Sequence, residues 1–477
     1  MIETELIKLI EDISTKKTES NNIEVKSAKQ GCPKIFDTLS SFSNQHNGGT
    51  IIFGINENDD YNICGVYDAS DLQKKIMEQS LQMEPVVRPL CTVAVIDGKT
   101  VVSAEIQEVD DFQKPCFYKG AGRLRGSYVR VADGDRLMTE YEVYSYEAFK
   151  QEIHDELRIN ERALLSDIDT DEYKSYLLEL RKTKPHLANL KEKEINRLQG
   201  FVVDNKPTVA SLMLFSVYPQ AYFPQLCITA VSVPGKEKSM TGSVGERFID
   251  NKRIEGSITQ MLGDALIFVR KNMKVKTIID SETGLRKDKT EYPVIAIREL
   301  ILNALVHRDY SIHTESAPIT ITMYEDRIEI ENPGGLYGRM TLENLGLVSA
   351  DTRNPYIAGA LEIMRKTENR YSGIPTIRNA MKEAGLPQPV FESNRGVFKA
   401  TLYNVFIDNN DINSFEREIL DFCSVPRRRK ELEEKFRGRI TIAYLMSKHI
   451  KPMIADKKLA MTKPDFPKSK DQKYYTL

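Results

Sequence analysis

Several features common in other proteins are missing from this chain, and each absence narrows what it is. No stretch of its 477 residues approaches the roughly 18 consecutive apolar side chains that a membrane helix requires. The opening MIETELIKLIEDI is amphipathic and acidic, unlike a signal peptide. Six cysteines (Cys32, Cys64, Cys91, Cys116, Cys227, Cys423) lie scattered without a CxxC pair or Cys/His metal spacing. A cytoplasmic protein with reduced thiols is predicted, with no membrane partner. There is no internal repeat and no long low-complexity tract, and no G-x-x-x-x-G-K-[ST] phosphate loop occurs anywhere.

What is present is ordinary in bulk and uneven in distribution. The net charge is -2 and hydrophobic residues make up 41%, typical of a globular chain long enough for about three domains. Residues 412–477 hold 16 Lys+Arg against 9 Asp+Glu, a net +7, which leaves -9 on the 411 residues before them. Alternating and helical periodicities occur throughout, so the predicted fold class is multidomain α+β. Four parts are expected: 1–140, a helical connector at 141–200, 201–407, and 412–477.

The stretch Glu299 to Tyr310, ELILNALVHRDY, carries the most chemistry. In a helix, Ile297, Leu300, Ile301, Ala304 and Leu305 fall on a buried side, while Glu299, Asn303 and His307 share another face at i, i+4, i+8. A carboxylate, a carboxamide and an imidazole pointing one way could hold a hydrated divalent cation or orient a water. A merely solvated helix face is the plain alternative. Thr320 to Glu331 then reads as a β-hairpin running into Asn332-Pro333-Gly334-Gly335, a turn that permits close backbone approach to a ligand. Arg308 and Asp309 are expected to form an ion pair that fixes the helix.

Helix E-x-x-x-N, hairpin and Gly turn in this order resemble the GHKL ATP-binding superfamily. EL-x-x-NALVHRDY followed by ENPGGL and RNP is similar to the divergent GHKL-type domain of bacterial Schlafen-like ATP-binding proteins, often labelled RecG-like. The resemblance implies ATP and Mg as cofactors, with Asn303 on the metal and Glu299 orienting the catalytic water. It also implies nucleotide contacts from His307, Asn332, Gly334, Gly335, Ser372 and Gly373. Two departures stand out: Asn332 replaces the usual base-reading Asp, and Tyr371 replaces a Gly of the lid motif. Weak ATPase activity is one expectation; helicase activity is not, for want of a phosphate loop.

In the first 140 residues, Glu19 and Glu24-Val25-Lys26 precede a helix pattern, Asn47-Gly48-Gly49, an apolar strand and finally Tyr128-Val129-Arg130-Val131. This order resembles the Schlafen AlbA-type domain, which implies binding of DNA or RNA. Some members are metal-dependent RNases, which would make Glu19 and Glu24 ligands of Mg or Mn. The third ligand would be Glu57, with Asp59 or Asp60 as alternatives. Converging acids need a cation between them, yet Glu24 and Lys26 could equally be charge partners on a sheet face.

The connector reads as charged, solvated helices. In the basic C-terminal part, helices are predicted at 414–423, 427–436 and 439–450 with β-runs near 458–461 and 474–477, the pattern of a winged helix. Candidate nucleic-acid contacts are Lys26, Arg125, Arg130, Arg427, Arg428, Arg439 and Lys448, because Lys and Arg neutralise phosphates. The function expected is a nucleic-acid-binding, transcription-regulator-like protein gated by ATP. The alternatives are a metal-dependent nuclease and an inert scaffold that forms homo-oligomers.

Overall fold

The computed structural model describes residues 1–131, 134–242, 245–279, 286–349, 351–364, 373–404, 416, 418–436, 442–455, 458–463 and 472–476. The chain divides into one unit of Met1–Ala384 with Gln388–Leu402, and another of Gly385–Pro387 with Tyr403–Leu477. The architecture is mixed α+β, and no helix among the described residues is long and apolar enough to cross a membrane.

The first unit opens on a four-stranded sheet in the order Ile23–Lys26, Gly49–Phe53, Lys99–Ile106, Leu90–Ile96. Side chains alternate across a strand, so Ile51 and Phe53 pack with Leu39 and Phe42 of the Phe36–Asn44 helix. Ile52 faces the other way, onto Leu6 and Ile10 of the Glu3–Lys16 helix. A hairpin turning at Asp97-Gly98 joins Leu90–Ile96 to Lys99–Ile106. A separate hairpin, Tyr128–Val131 with Gly134–Leu137, sets Arg130 directly opposite Asp135. Thr139 and Glu142 then close a capping box at the start of the Glu140–Lys150 helix.

The connector is less solvated than its charge predicts. On the Asp171–Thr183 helix, Tyr173, Tyr176, Leu177 and Leu180 are buried, and the two tyrosine rings pack on Phe215 and Phe201. Val209–Phe215, an unbroken run of mostly apolar residues, is a helix with every residue buried. Burial on all sides erases the periodicity that would have separated helix from strand.

A six-stranded sheet follows, in the order Asp250–Ile254, Ile228–Ser232, Ile319–Met323, Arg327–Pro333, Val397–Tyr403, Val390–Asn394. Ile319–Met323 and Arg327–Pro333 are the expected hairpin. Val397–Tyr403, last of these strands in chain order, lies inside the sheet, and Val390–Asn394 takes the edge. The Val294–His307 helix packs on the Arg327–Pro333 strand and between the Ile258–Asn272 and Gly373–Glu383 helices.

The second unit, where described, holds helices Arg429–Lys435, Ile442–Leu445 and Lys451–Ala455 around buried Ile419, Cys423, Leu432, Phe436 and Leu445. Its antiparallel sheet has the order Arg427–Arg428, Lys473–Thr476, Leu459–Met461. Arg427 and Arg428 were expected to open a helix but form a strand with Tyr474 and Lys473. The Glu431 carboxylate accepts the Arg428 N–H at 2.8 Å, which caps the helix one step later.

Candidate functional sites

The Val294–His307 helix buries Ala296, Ile297, Leu300, Ile301, Ala304 and Leu305, and this apolar side fixes which way the other face points. Glu299, Asn303 and His307 consequently line a cavity of about 480 Å³. Asn332, Gly334 and Gly335 enter it from the turn after the hairpin, and Gly373 from the start of the next helix. Ser372, expected beside them, lies outside the described residues, as do Glu368 to Tyr371.

The walls are closely built. Gly334 has φ +110°, and a Cβ there would come within 2.9 Å of Asp309 and collide with the Arg353 guanidinium. A Cβ on Gly373 would lie 3.1 Å from Asn303 Nδ2, so the helix start presses on the carboxamide. Glu299 pairs with its neighbour Arg298 at 2.6 Å. Asn332 is buried, and its Oδ1 meets no hydrogen-bond partner. An unmet buried acceptor costs about 1–3 kcal/mol, so this oxygen is a place in the wall where a donor would be stabilising. His307 is open to the cavity while protein crowds it elsewhere. That crowding and then the Arg353 guanidinium hold its imidazole below the usual range, so it is neutral at pH 7.

The Arg308–Asp309 ion pair does not form. Arg308 is buried and donates to the carbonyl oxygens of Thr314 and Ala317 at 3.0 and 2.6 Å. Asp309 accepts from the Tyr141 hydroxyl at 2.8 Å and lies 3.4 Å from Arg353. Burial pushes its carboxyl up, but Arg353 and the Ser311 donors outweigh that and hold it below its usual range. Asn354 donates to the carbonyl oxygens of Val306 and Arg308 at 2.8 and 2.7 Å, holding the helix end. Tyr141, which the sequence did not single out, thus ties the Glu140–Lys150 helix to the rim of the cavity.

In the N-terminal sheet Glu19 and Glu24 do converge, but on Arg130. Arg130 Nη1 donates to Glu24 Oε2 at 2.8 Å and Asp135 Oδ1 at 3.1 Å, and Nη2 reaches Glu19 Oε2 at 3.5 Å. Its side chain is 2% exposed, so this expected phosphate contact faces inward. Lys26 is likewise spent on Glu24. Burial first, and then the negative Glu24 and Glu57, push the Glu19 carboxyl up to about 7, against the Val25 N–H and Arg130. Glu57 itself is exposed in the Glu57–Asp59 turn and adds no arm to the cluster. Asp135 was missed because two of its partners, Thr38 and Ser41, are distant in sequence; its place opposite Arg130 across a short hairpin was the available signal.

Of the other basic candidates, Arg125 is exposed. Arg427 stacks on Phe422 at 4.5 Å and lies 3.4 Å from Glu431, and Arg428 is exposed at the helix start. Arg439 and the Lys448 side chain lie outside the described residues.

Residues 19–139 match the family described as "Schlafen, AlbA_2", and residues 316–402 the family described as "Putative ATP-dependent DNA helicase recG C-terminal". The chain therefore carries a Schlafen AlbA_2 domain followed by an HATPase-type, recG-C-terminal domain. The second match includes Asn332, Gly334, Gly335 and Gly373 but not the helix with Glu299, Asn303 and His307. Among solved structures, the DIP2311 protein of Corynebacterium diphtheriae is similar at 19% identity and TM-score 0.39, over 83% of this chain and 80% of that one. The N-terminal domain of a protein from Nitrosomonas europaea, described as related to ATP-dependent DNA helicase RecG, is similar at 24% identity and TM-score 0.23. That likeness spans 27% of this chain and 90% of the other. No curated protein matches.

Proposed function

We propose that this chain is a nucleic-acid-binding regulator whose central cavity takes ATP with Mg, and that nucleotide occupancy gates nucleic-acid binding. The carrying observation is the cavity itself, lined by the row Glu299, Asn303 and His307 and by a glycine turn that opens on Asn332 with its unmet oxygen. The adenine amino group is a donor of the kind that oxygen lacks, and an amide can accept it. Asn303 and Glu299 supply the hard oxygens that Mg prefers, usually with several waters retained. Bound Mg would screen the triphosphate charge.

The route for gating is also local. Gly335, Leu336 and Met340 line both the nucleotide cavity and a second cleft of about 1090 Å³, which the Schlafen hairpin borders through Val129, Arg130 and Val131. A ligand that favours one arrangement of this shared wall biases the cleft on its other side, and the coupling is reciprocal. Nucleic-acid contact falls to exposed Arg125 and to the basic C-terminal unit, read as a winged helix; transcription regulation is the role that fits both.

Calorimetry with ATP and ADP, with and without Mg, tests the reading. Micromolar, Mg-dependent binding that Asn303→Ala removes is expected, together with salt-sensitive DNA binding that shifts when ATP is added. No binding up to millimolar nucleotide would refute the cavity's assignment.

A further inference from the structure

The Schlafen resemblance implies a divalent metal at Glu19 and Glu24, and the residues around them do not fit one. Every oxygen of the three converging carboxylates is already met. Glu19 Oε1 accepts the Val25 N–H at 2.9 Å, and its Oε2 faces Arg130. Glu24 Oε1 takes the Lys26 ammonium and its Oε2 takes Arg130. Asp135 Oδ1 accepts from the Ser41 hydroxyl at 2.5 Å as well as from Arg130, while Oδ2 accepts from Thr38 at 2.7 Å. The guanidinium also donates to the Ile23 carbonyl at 3.2 Å and lies 5.3 Å from the Phe42 ring centre.

We propose that Arg130 is the resident cation of this cluster, so that the Schlafen domain holds no divalent metal there and is not a metal-dependent nuclease. A planar guanidinium is weakly hydrated and presents several donors in fixed directions, so it can bridge acids on separate strands inside protein. Mg instead demands near-octahedral oxygens at about 2.0–2.1 Å and keeps part of its water. To enter, it would have to displace a side chain that is 2% exposed and strip Lys26 from Glu24. Removing the guanidinium frees Glu19 Oε2 and Glu24 Oε2 and leaves Asp135 Oδ1 with the Ser41 hydroxyl alone, three hard oxygens that all met Arg130. The cluster then becomes a latent cation site.

The test is a titration of the full-length protein with Mn, without nucleotide, following free Mn by its electron paramagnetic resonance signal. Wild type and Glu24→Gln should take up equal amounts, and RNA or single-stranded DNA should survive incubation of the wild type with Mn. Arg130→Met, close in volume but uncharged, should gain one bound Mn per chain, and Arg130→Met with Glu24→Gln should lose it again. An Mn ion held by the wild type and lost in Glu24→Gln or Glu19→Gln overturns the proposal. So does a folded Arg130→Met that takes up no more Mn than the wild type. Should Arg130→Met fail to fold, the comparison of wild type with Glu24→Gln and Glu19→Gln decides the matter alone.

Discussion

Around Arg130, three carboxylates find a donor for each of their oxygens; in the central cavity, Asn332 keeps a buried oxygen that no protein group meets. Both places gather polar side chains onto one point. The first is finished by the protein's own cation. The second is unfinished and has about 480 Å³ beside it. Acidic residues that converge therefore say little about function until their partners are counted, whereas an unmet buried group beside a cavity marks where a ligand contributes.

Substitutions can break this contrast, and the largest effect belongs to the closed cluster. Arg130→Ala leaves buried carboxylates facing one another without a cation, and such losses cost about 3–5 kcal/mol. Urea denaturation of the N-terminal domain should show that loss; a change below about 1 kcal/mol would mean the cluster is not a buried ion-pair lock. Gly334→Ala comes next. A side chain at φ +110° crowding Arg353 and Asp309 should cost about 1–3 kcal/mol and abolish nucleotide binding.

Asn303→Ala should weaken Mg-dependent ATP affinity at least tenfold, about 1.4 kcal/mol, while the thermal midpoint of the free protein stays within a few degrees. Asn332→Leu sharpens the comparison most directly, because it removes the unmet acceptor. The free protein should gain about 1 kcal/mol as ATP affinity falls, a trade that no substitution in the Arg130 cluster should reproduce.

A separate test of burial without a partner charge is pH dependence. Glu156 is fully buried, and burial pushes its carboxyl up to about 8 although it accepts the Tyr356 and Ile357 N–H groups at 2.9 and 2.8 Å. Its folded value exceeds its unfolded value near 4.5, so the native state keeps a proton that the unfolded chain releases. Stability should decline as pH rises from about 4.5 to 8. Glu156→Gln should flatten that slope in thermal melts, and an unchanged slope would assign it to other groups.

How much the sequence revealed differs between the two places for a physical reason. Glu299, Asn303 and His307 share one helix, so period alone put them on a common face, and the Asn332 to Gly335 turn follows its hairpin directly. The Arg130 cluster was half legible: Glu24 and Lys26 were readable as charge partners, but Arg130 reaches Glu24 from 106 positions away and brings Asp135 with it. Asp309 was misread for the same reason. Its neighbour Arg308 looked like its partner, yet Tyr141, 168 positions away, and Arg353 hold it.

By itself, then, the sequence determined the hydrophobic periods, the glycine and proline punctuation, the two domain signatures and the basic C-terminal part, because these are written in neighbouring residues. Only the tertiary structure decided which charges meet. An ion pair depends on distance in space and on what else is buried there, and neighbours in sequence turn apart when a closer or better-oriented partner lies across the fold. That choice left the acids of the first domain sealed around Arg130 and the amide of Asn332 without a partner.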